Sequence, residues 1–220
     1  MNQVDAIRSP HASVPSDLFS LVRPELAQVE QRLQSELRTR HEMVDQVVRH
    51  GYRLGGKRLR PALVLLAARA CGDIGHEHET LAVVVEMIHT ATLVHDDVLD
   101  EAELRRHVDT VNARWGNETS VLLGDFLFSH AFYLASTLGT VEACRLIGRS
   151  TNIVCEGEMR QTLSEGDLSI SEADYLAIID AKTAELCACC CELGARYTGA
   201  SDAVVQALST YGRHLGIAFQ

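Results

Sequence analysis

Proline is nearly missing from this chain, with four in 220 residues, and aromatic side chains make up only 5% of it. A β-sandwich or barrel would need more Val, Thr, Tyr and turn residues than that. A sequence that is 46% hydrophobic and rich in Ala and Leu suits packed helices instead. An excess of basic charge is also lacking. The formal net charge is −10, which argues against a general nucleic-acid binder, because phosphate backbones demand a basic surface. A small anionic substrate stays open wherever local cations or a metal reverse the field. Nowhere do about eighteen apolar residues run together, so no membrane span is expected. The first twenty residues have no apolar core of signal length and contain Asp5, Pro10, Pro15 and Asp17 instead.

Cysteine is present, but not as a disulfide framework. The seven are Cys71, Cys144, Cys155, Cys187, Cys189, Cys190 and Cys191, an odd number with four crowded into five residues. Neighbours on a helix cannot easily pair with each other. Reduced thiols in a cytoplasmic protein are therefore expected. Cys187 and Cys191 could start a zinc site, yet no second ligand pair follows at a suitable spacing. The cluster reads as small core fillers on a buried helix.

Residues 1–17 have two prolines and little periodicity, and read as a flexible arm ahead of one domain spanning 18–220. From Leu18 to His50 the apolar positions recur every three or four residues, predicting an amphipathic helix or helical pair. Gly51 to Pro61 is a break, Ala62 to Cys71 a short apolar helix, and Gly72 to His78 a polar turn. A long helix follows from about Thr80 to Asp100, roughly 30 Å at 1.5 Å per residue. Glu101 to Asn117 is a charged loop with a partial helix around Val111 to Trp115. Further helices are predicted over 119–136, 141–163, 171–193 and 203–219. Ser171 with Asp174 resembles a capping box at the start of the third. No β-hairpin is evident. The fold expected is all-α.

Chemistry concentrates where the long helix ends. Asp96 and Asp100 stand one turn apart on one face, with Asp97 beside them. Carboxylates so placed repel unless a cation lies between them, and hard oxygen ligands select Mg²⁺, which fills its remaining positions with water and substrate phosphates. Upstream, Gly55-Gly56-Lys57-Arg58-Leu59-Arg60-Pro61 sets three cations beside two glycines that let a backbone approach an anion. His89 lies two turns before Asp96 on nearly the same face, and Arg105 and Arg106 follow closely enough to fold back. Two phosphate sites are implied, one bound by cations and one through metal. Asp125, and Glu158 with Gln161, could face the same cavity, although each also reads as an ordinary polar helix residue.

In these motifs the sequence resembles the trans-isoprenyl diphosphate synthases, or polyprenyl synthetases. The likeness is carried in order by GGKRLRP (55–61), HTATLVHDDVLDEAELRRH (89–107), Lys182-Thr183 and GIAFQ (216–220), a far more specific signal than any one motif. It implies an isoprenoid-synthase-type helical bundle around a central cavity, in a homodimer. It implies condensation of isopentenyl diphosphate with an allylic diphosphate under Mg²⁺. Gly56, Lys57, Arg60, His89 and Arg106 would then hold the isopentenyl diphosphate. Asp96 and Asp100 would bind Mg²⁺, with Asp97 a further candidate. Arg105, Lys182, Thr183 and Gln220 would contact the allylic diphosphate or its cation, with Lys182 and Thr183 joining the two aspartates in catalysis. Short-chain members have bulky aromatics at the fourth and fifth positions before the first aspartate. Here those positions are Thr92 and Ala91, with Ile88 and Val85 deeper, which implies a medium-to-long product.

Two departures from the family pattern bear on this. His107-Val108-Asp109 stands where Gly-Lys-Pro is usual, unsettling the loop. The second aspartate-rich motif that follows Phe-Gln in the family is not reached by Gln220, so the closing helices are expected to be missing and the 220-residue form to have little or no activity. Other readings compete with the enzyme. One is a non-catalytic or regulatory partner subunit of a complete synthase. Another is a helical metal phosphohydrolase built on His95 and Asp96 with His76 or His78.

Overall fold

Helices account for nearly all of the ordered backbone in the computed structural model, which describes residues 19–220; the arm expected over 1–17 lies outside the described residues. A 3₁₀ turn, Ser20–Val22, leads into α1 (Arg23–Glu36), with Pro24 in the first turn where its missing N–H costs nothing. α2 is Glu42–Arg53, so the periodic stretch before the glycines is a pair of helices. Between them the Thr39 N–H donates to Asp45 Oδ1 at 3.1 Å. α3 (Leu59–Cys71) and α4 (His76–Leu99) follow.

α4 is the central element because its middle is buried on every side. Every residue from Thr80 to Ile88 is buried, and a segment with no exposed face must be surrounded. It packs against α1, α3 and three later helices, α5 (Val111–Trp115), α6 (Asn117–Ser136) and α9 (Glu185–Arg196). The remaining helices are α7 (Glu142–Leu163), α8 (Glu172–Ile179) and α10 (Asp202–Phe219). No helix among the described residues is long and apolar enough to cross a membrane.

Two local structures differ from the sequence expectation. Where no hairpin was evident, β1 (Leu104–Arg105) and β2 (Val108–Asp109) pair antiparallel around a two-residue turn. Arg106 and His107 form that turn at φ 53° and 66°, the positive pair that marks a type I′ hairpin. The usual Asn-Gly signal is absent, so propensity gave no warning. The helix expected over 171–193 begins as read, with the Asp174 N–H donating to Ser171 Oγ at 3.1 Å. It is then interrupted by a π-helical turn, Asp180–Ala184, between α8 and α9. A π turn has no proline or glycine to announce it.

The cysteine-rich α9 lies between α3 and α10. Cys187, Cys189, Cys190 and Cys191 are buried free thiols, as core fillers should be, and burial pushes the Cys189 and Cys191 thiols up to about 12. Glycines permit this close stacking. A methyl group on Gly194 would stand 2.2 Å from the Val64 carbonyl oxygen of α3, and one on Gly212 would stand 2.5 Å from the Cys187 carbonyl. Gly194→Ala should therefore lower the unfolding free energy by about 1–3 kcal/mol, the usual cost of overpacking. The urea midpoint measures this, and an unchanged midpoint would contradict the crossing.

Candidate active site

The basic loop between α2 and α3 is shaped by where its middle arginine goes. Arg58 takes a left-handed backbone (φ 56°) and turns inward. Its Nε donates to Glu30 Oε2 at 2.9 Å and its Nη1 to Glu86 Oε1 at 2.7 Å, and its guanidinium lies 4.7 Å over the Tyr52 ring. The Glu86 side chain is only 2% exposed, so this is a buried anchor. Lys57 and Arg60 line a cavity of about 650 Å³, whose wall the tethered Arg58 and Glu86 also form. Arg60 Nε is buried there without a hydrogen-bond partner. Both glycines serve the guanidinium groups. A methyl on Gly55 would lie 2.3 Å from Arg58 Nη1, and one on Gly56 would lie 2.7 Å from an Arg106 terminal nitrogen. Arg106 reaches this wall from the hairpin turn and donates to the Gly55 carbonyl at 2.8 Å.

α4 supplies the opposite wall through Ile88, His89, Thr92, Leu93 and Asp96. Among the described residues, none is hydrogen-bonded to the His89 ring. Burial first, then the charges of Arg60, Arg105, Arg106 and Arg58, hold its pKa well below the ordinary 6.5, so the ring is neutral. Asp96 is raised to about 6, by burial first and then by the nearby carboxylates of Glu158 and Asp100, with Lys182 and Arg105 opposing. Among the described residues, neither Asp96 nor Asp100 makes a side-chain hydrogen bond or ion pair, although the two lie one helical turn apart.

The remaining walls come from α6 (Phe128), α7 (Thr151, Val154, Cys155, Glu158), the π turn (Lys182, Thr183) and α9–α10 (Leu186, Cys187, Leu215, Phe219, Gln220). Lys182 Nζ donates to Glu158 Oε2 at 2.8 Å, and Thr183 Oγ1 donates to Gln220 Oε1 at 3.0 Å. Lys182, Thr183 and Gln220 also line a second cavity of about 610 Å³, which includes Asp100 and Gln161. The two cavities meet at these three residues, with Asp96 on one side and Asp100 on the other.

The expected residues are thus largely, but not wholly, brought together. Gly56, Lys57, Arg60, His89, Asp96, Arg106, Lys182, Thr183 and Gln220 share one cavity. Asp97 is not turned toward it. Its side chain is 1% exposed and receives Arg105 Nε at 2.8 Å, so it anchors Arg105, which does not reach either cavity wall. Of the expected chain-length positions, Ile88 and Thr92 line the cavity, whereas Ala91 and Val85 are fully buried in the core. Ala91 is rotated about 60° from Ile88 at 100° per residue, and Val85 lies a turn further back in solid packing. Glu158 proves to be a cavity residue, and Asp125 is exposed beside His95 instead. The spacing Thr151, Val154, Cys155, Glu158 along α7 was the readable sign of a single face. His76 and His78 lie at the other end of α4 from His95, about 25 Å away by helical rise, which removes the phosphohydrolase ligand set.

Mg²⁺ suits what is present. No three His, Cys, Asp or Glu side chains converge as a ready cage among the described residues. Mg²⁺ does not need one, since it is held by one or two carboxylates plus water and substrate phosphate. The uncommitted Asp96 and Asp100, with Asp96 pushed up by burial and then by neighbouring negative charge, fit that habit.

Comparison with known proteins agrees with this geometry. The sequence model of the polyprenyl synthetase family matches residues 41–220. The octaprenyl diphosphate synthase of Escherichia coli is 38% identical over 200 residues, covering 91% of this chain and 62% of that one. The nonaprenyl diphosphate synthase of Mycobacterium tuberculosis is 39% identical over 204 residues, covering 90% and 59%. Among solved structures, the polyprenyl synthase of Caulobacter crescentus complexed with calcium and isoprenyl diphosphate has a TM-score of 0.87 at 40% identity, covering 91% of this chain and 61% of that one. This chain spans about three-fifths of the length of these relatives.

Two outcomes follow from the buried charges. Arg58→Met strands the Glu86 carboxylate and should cost about 3–5 kcal/mol, much of it recovered when Glu86→Gln is added. Thermal unfolding of the single and double variants reads this, and a stable single variant would contradict the anchor. His89 should stay neutral in the folded state as the pH falls through the ordinary histidine value of 6.5, seen as a ring proton resonance that does not titrate there. The sign for stability follows. Unfolded chain takes up a proton near 6.5 that the folded site refuses, so His89's contribution is present above that value and drains away as pH falls below it.

Proposed function

The chain belongs to the polyprenyl synthetase family, and on that premise we propose that the protein is a trans-polyprenyl diphosphate synthase, a prenyltransferase that adds isopentenyl diphosphate to an allylic diphosphate. The observation that carries this reading is the charge pattern of one apolar cavity. Arg60 Nε is an orphaned donor in a cavity also lined by Lys57, Arg106 and a neutral His89, and Asp96 joins them from α4 with no side-chain partner among the described residues. A purely regulatory subunit would have no use for that arrangement.

In this reading Lys57, Arg60, His89 and Arg106 bind the diphosphate of isopentenyl diphosphate, with Gly56 allowing close approach. Asp96 and Asp100 hold Mg²⁺. When bound, the ion supplies Lewis-acid neutralisation of the departing allylic diphosphate. Lys182, with the Thr183–Gln220 pair, faces the reacting allyl group from the π turn and stabilises developing charge there. Arg105, fixed by Asp97, contributes long-range positive potential. Ile88, Thr92, Leu93, Phe128 and Val154 line the space for the hydrocarbon and exclude water, which would otherwise quench an allylic cation. The proton lost after carbon–carbon bond formation passes to the released diphosphate.

The relatives' names include heptaprenyl, octaprenyl, nonaprenyl and decaprenyl diphosphate synthases. With Thr92 rather than an aromatic side chain on the cavity wall, a product of that medium-to-long class is the one proposed here. The protein works in the cytoplasm, consistent with seven free thiols, and as a homodimer, a pairing that the exposed Val121, Leu122 and Tyr133 of α6 support. The test is to supply the protein as its gene encodes it with isopentenyl diphosphate, an allylic primer and Mg²⁺, and to size the products. Elongation to about seven or more isoprene units, lost with chelator and reduced at least a hundredfold by Asp96→Asn, is expected. A product of only three units would contradict the length assignment, and turnover indifferent to Mg²⁺ would contradict the mechanism.

A further inference from the structure

The π turn that carries Lys182 and Thr183 is held by a residue that touches neither cavity. Arg213, on α10, donates through Nη1 to Asp180 Oδ1 and Oδ2 at 2.7 and 2.6 Å, and through Nη2 to Glu185 Oε2 at 2.5 Å. Asp180 opens the turn and Glu185 immediately follows it, so one guanidinium spans the turn from end to end. Glu185 is 3% exposed, and its other oxygen accepts from Ser150 Oγ of α7 at 2.7 Å. Two glycines press on the same turn. A methyl on Gly157 of α7 would lie 2.9 Å from the Lys182 backbone nitrogen, and one on Gly216 of α10 would lie 2.5 Å from Ala184 Cα.

A π turn needs such support. It is rare and inserts one extra residue into the helical register. Relaxing it to an α turn would rotate Lys182 and Thr183 by about 100° relative to α9, away from Glu158 and Gln220. Nothing in the sequence Asp180-Ala181-Lys182-Thr183-Ala184 itself disfavours that relaxation. A planar fork is the side chain suited to bridging two carboxylates at fixed separation. We propose that Arg213 is a positioning residue for prenyl transfer, clamping Asp180 to Glu185 so that the π turn presents Lys182 and Thr183 to the allylic diphosphate. This rests on the prenyltransferase reading of the cavity.

The test uses the protein as its gene encodes it, with Arg213→Gln and the double variant Arg213→Gln/Glu185→Gln. In the single variant, KM for the allylic diphosphate should rise roughly tenfold or more, while KM for isopentenyl diphosphate, bound by Lys57, Arg60, His89 and Arg106, stays within about twofold. The single variant also leaves Glu185 buried without its cation, and should melt earlier. The double variant removes that charge, so its melting temperature should recover while the allylic KM stays high. Amide hydrogen exchange at residues 180–185 should quicken in both variants. Parallel changes in the two KM values, recovery of the allylic KM together with melting temperature, or unchanged exchange would each overturn the clamp. Failure of the wild-type protein to elongate any allylic primer would instead overturn the prenyltransferase reading, with exchange still deciding whether Arg213 holds the turn.

Discussion

Charge held apart at one end of an apolar hole is the constraint on which this structure depends. Asp96 faces the cavity with its pKa pushed to about 6, by burial first and by carboxylate neighbours next. Arg60, on α3, keeps an unpartnered Nε, and His89, two turns before Asp96 on α4, is neutral. In a relaxed protein such groups would collapse onto one another. Here they sit on rigid helices, and their mutual approach is prevented by the packing of α4 against α3. Groups in that condition have much to gain from a ligand that is anionic at one point and brings a cation to another.

The same division of labour appears in both charged motifs. In the basic loop, Lys57 and Arg60 line the cavity while Arg58, on the same wall, is tied to Glu30 and Glu86. In the aspartate motif, Asp96 and Asp100 are uncommitted while Asp97 is buried against Arg105. The middle residue of each motif is therefore an anchor, and it fixes the aim of its neighbours. Arg213 does for the π turn what Arg58 does for the loop, through two carboxylates again. Preorganisation of this kind lets dipoles and charges act without moving at the moment of reaction.

Most of the fold was legible because its helices are long and periodic. α4 announced itself through a long, mostly apolar stretch, and the short helix Val111–Trp115 was read at its observed limits. The cavity residues were legible as motifs, and the single face of α7 bearing Glu158 could have been read from spacing alone. The rest was hidden for physical reasons. Arg106 and His107 adopt a turn that residue preference would assign to glycine or asparagine. The π turn leaves no sequence signature, because its cause lies in Arg213, Gly157 and Gly216, on other helices. Ala91 and Val85 were expected on the cavity wall because distance along a helix was read without its rotation. Whether a carboxylate such as Asp97 binds a ligand or an arginine is decided by tertiary partners that no local pattern encodes.

Direct binding of inorganic diphosphate tests the central claim, that one cavity has a cation-built and a metal-built diphosphate site. Titration calorimetry on the protein as its gene encodes it should find one equivalent bound without metal. That equivalent should be lost in Lys57→Ala/Arg60→Ala and kept in Asp96→Asn. Adding Mg²⁺ should create a second equivalent, absent in Asp96→Asn and kept in the loop variant. A single class of site, bound equally with and without Mg²⁺ and weakened alike by both sets of substitutions, would contradict the account.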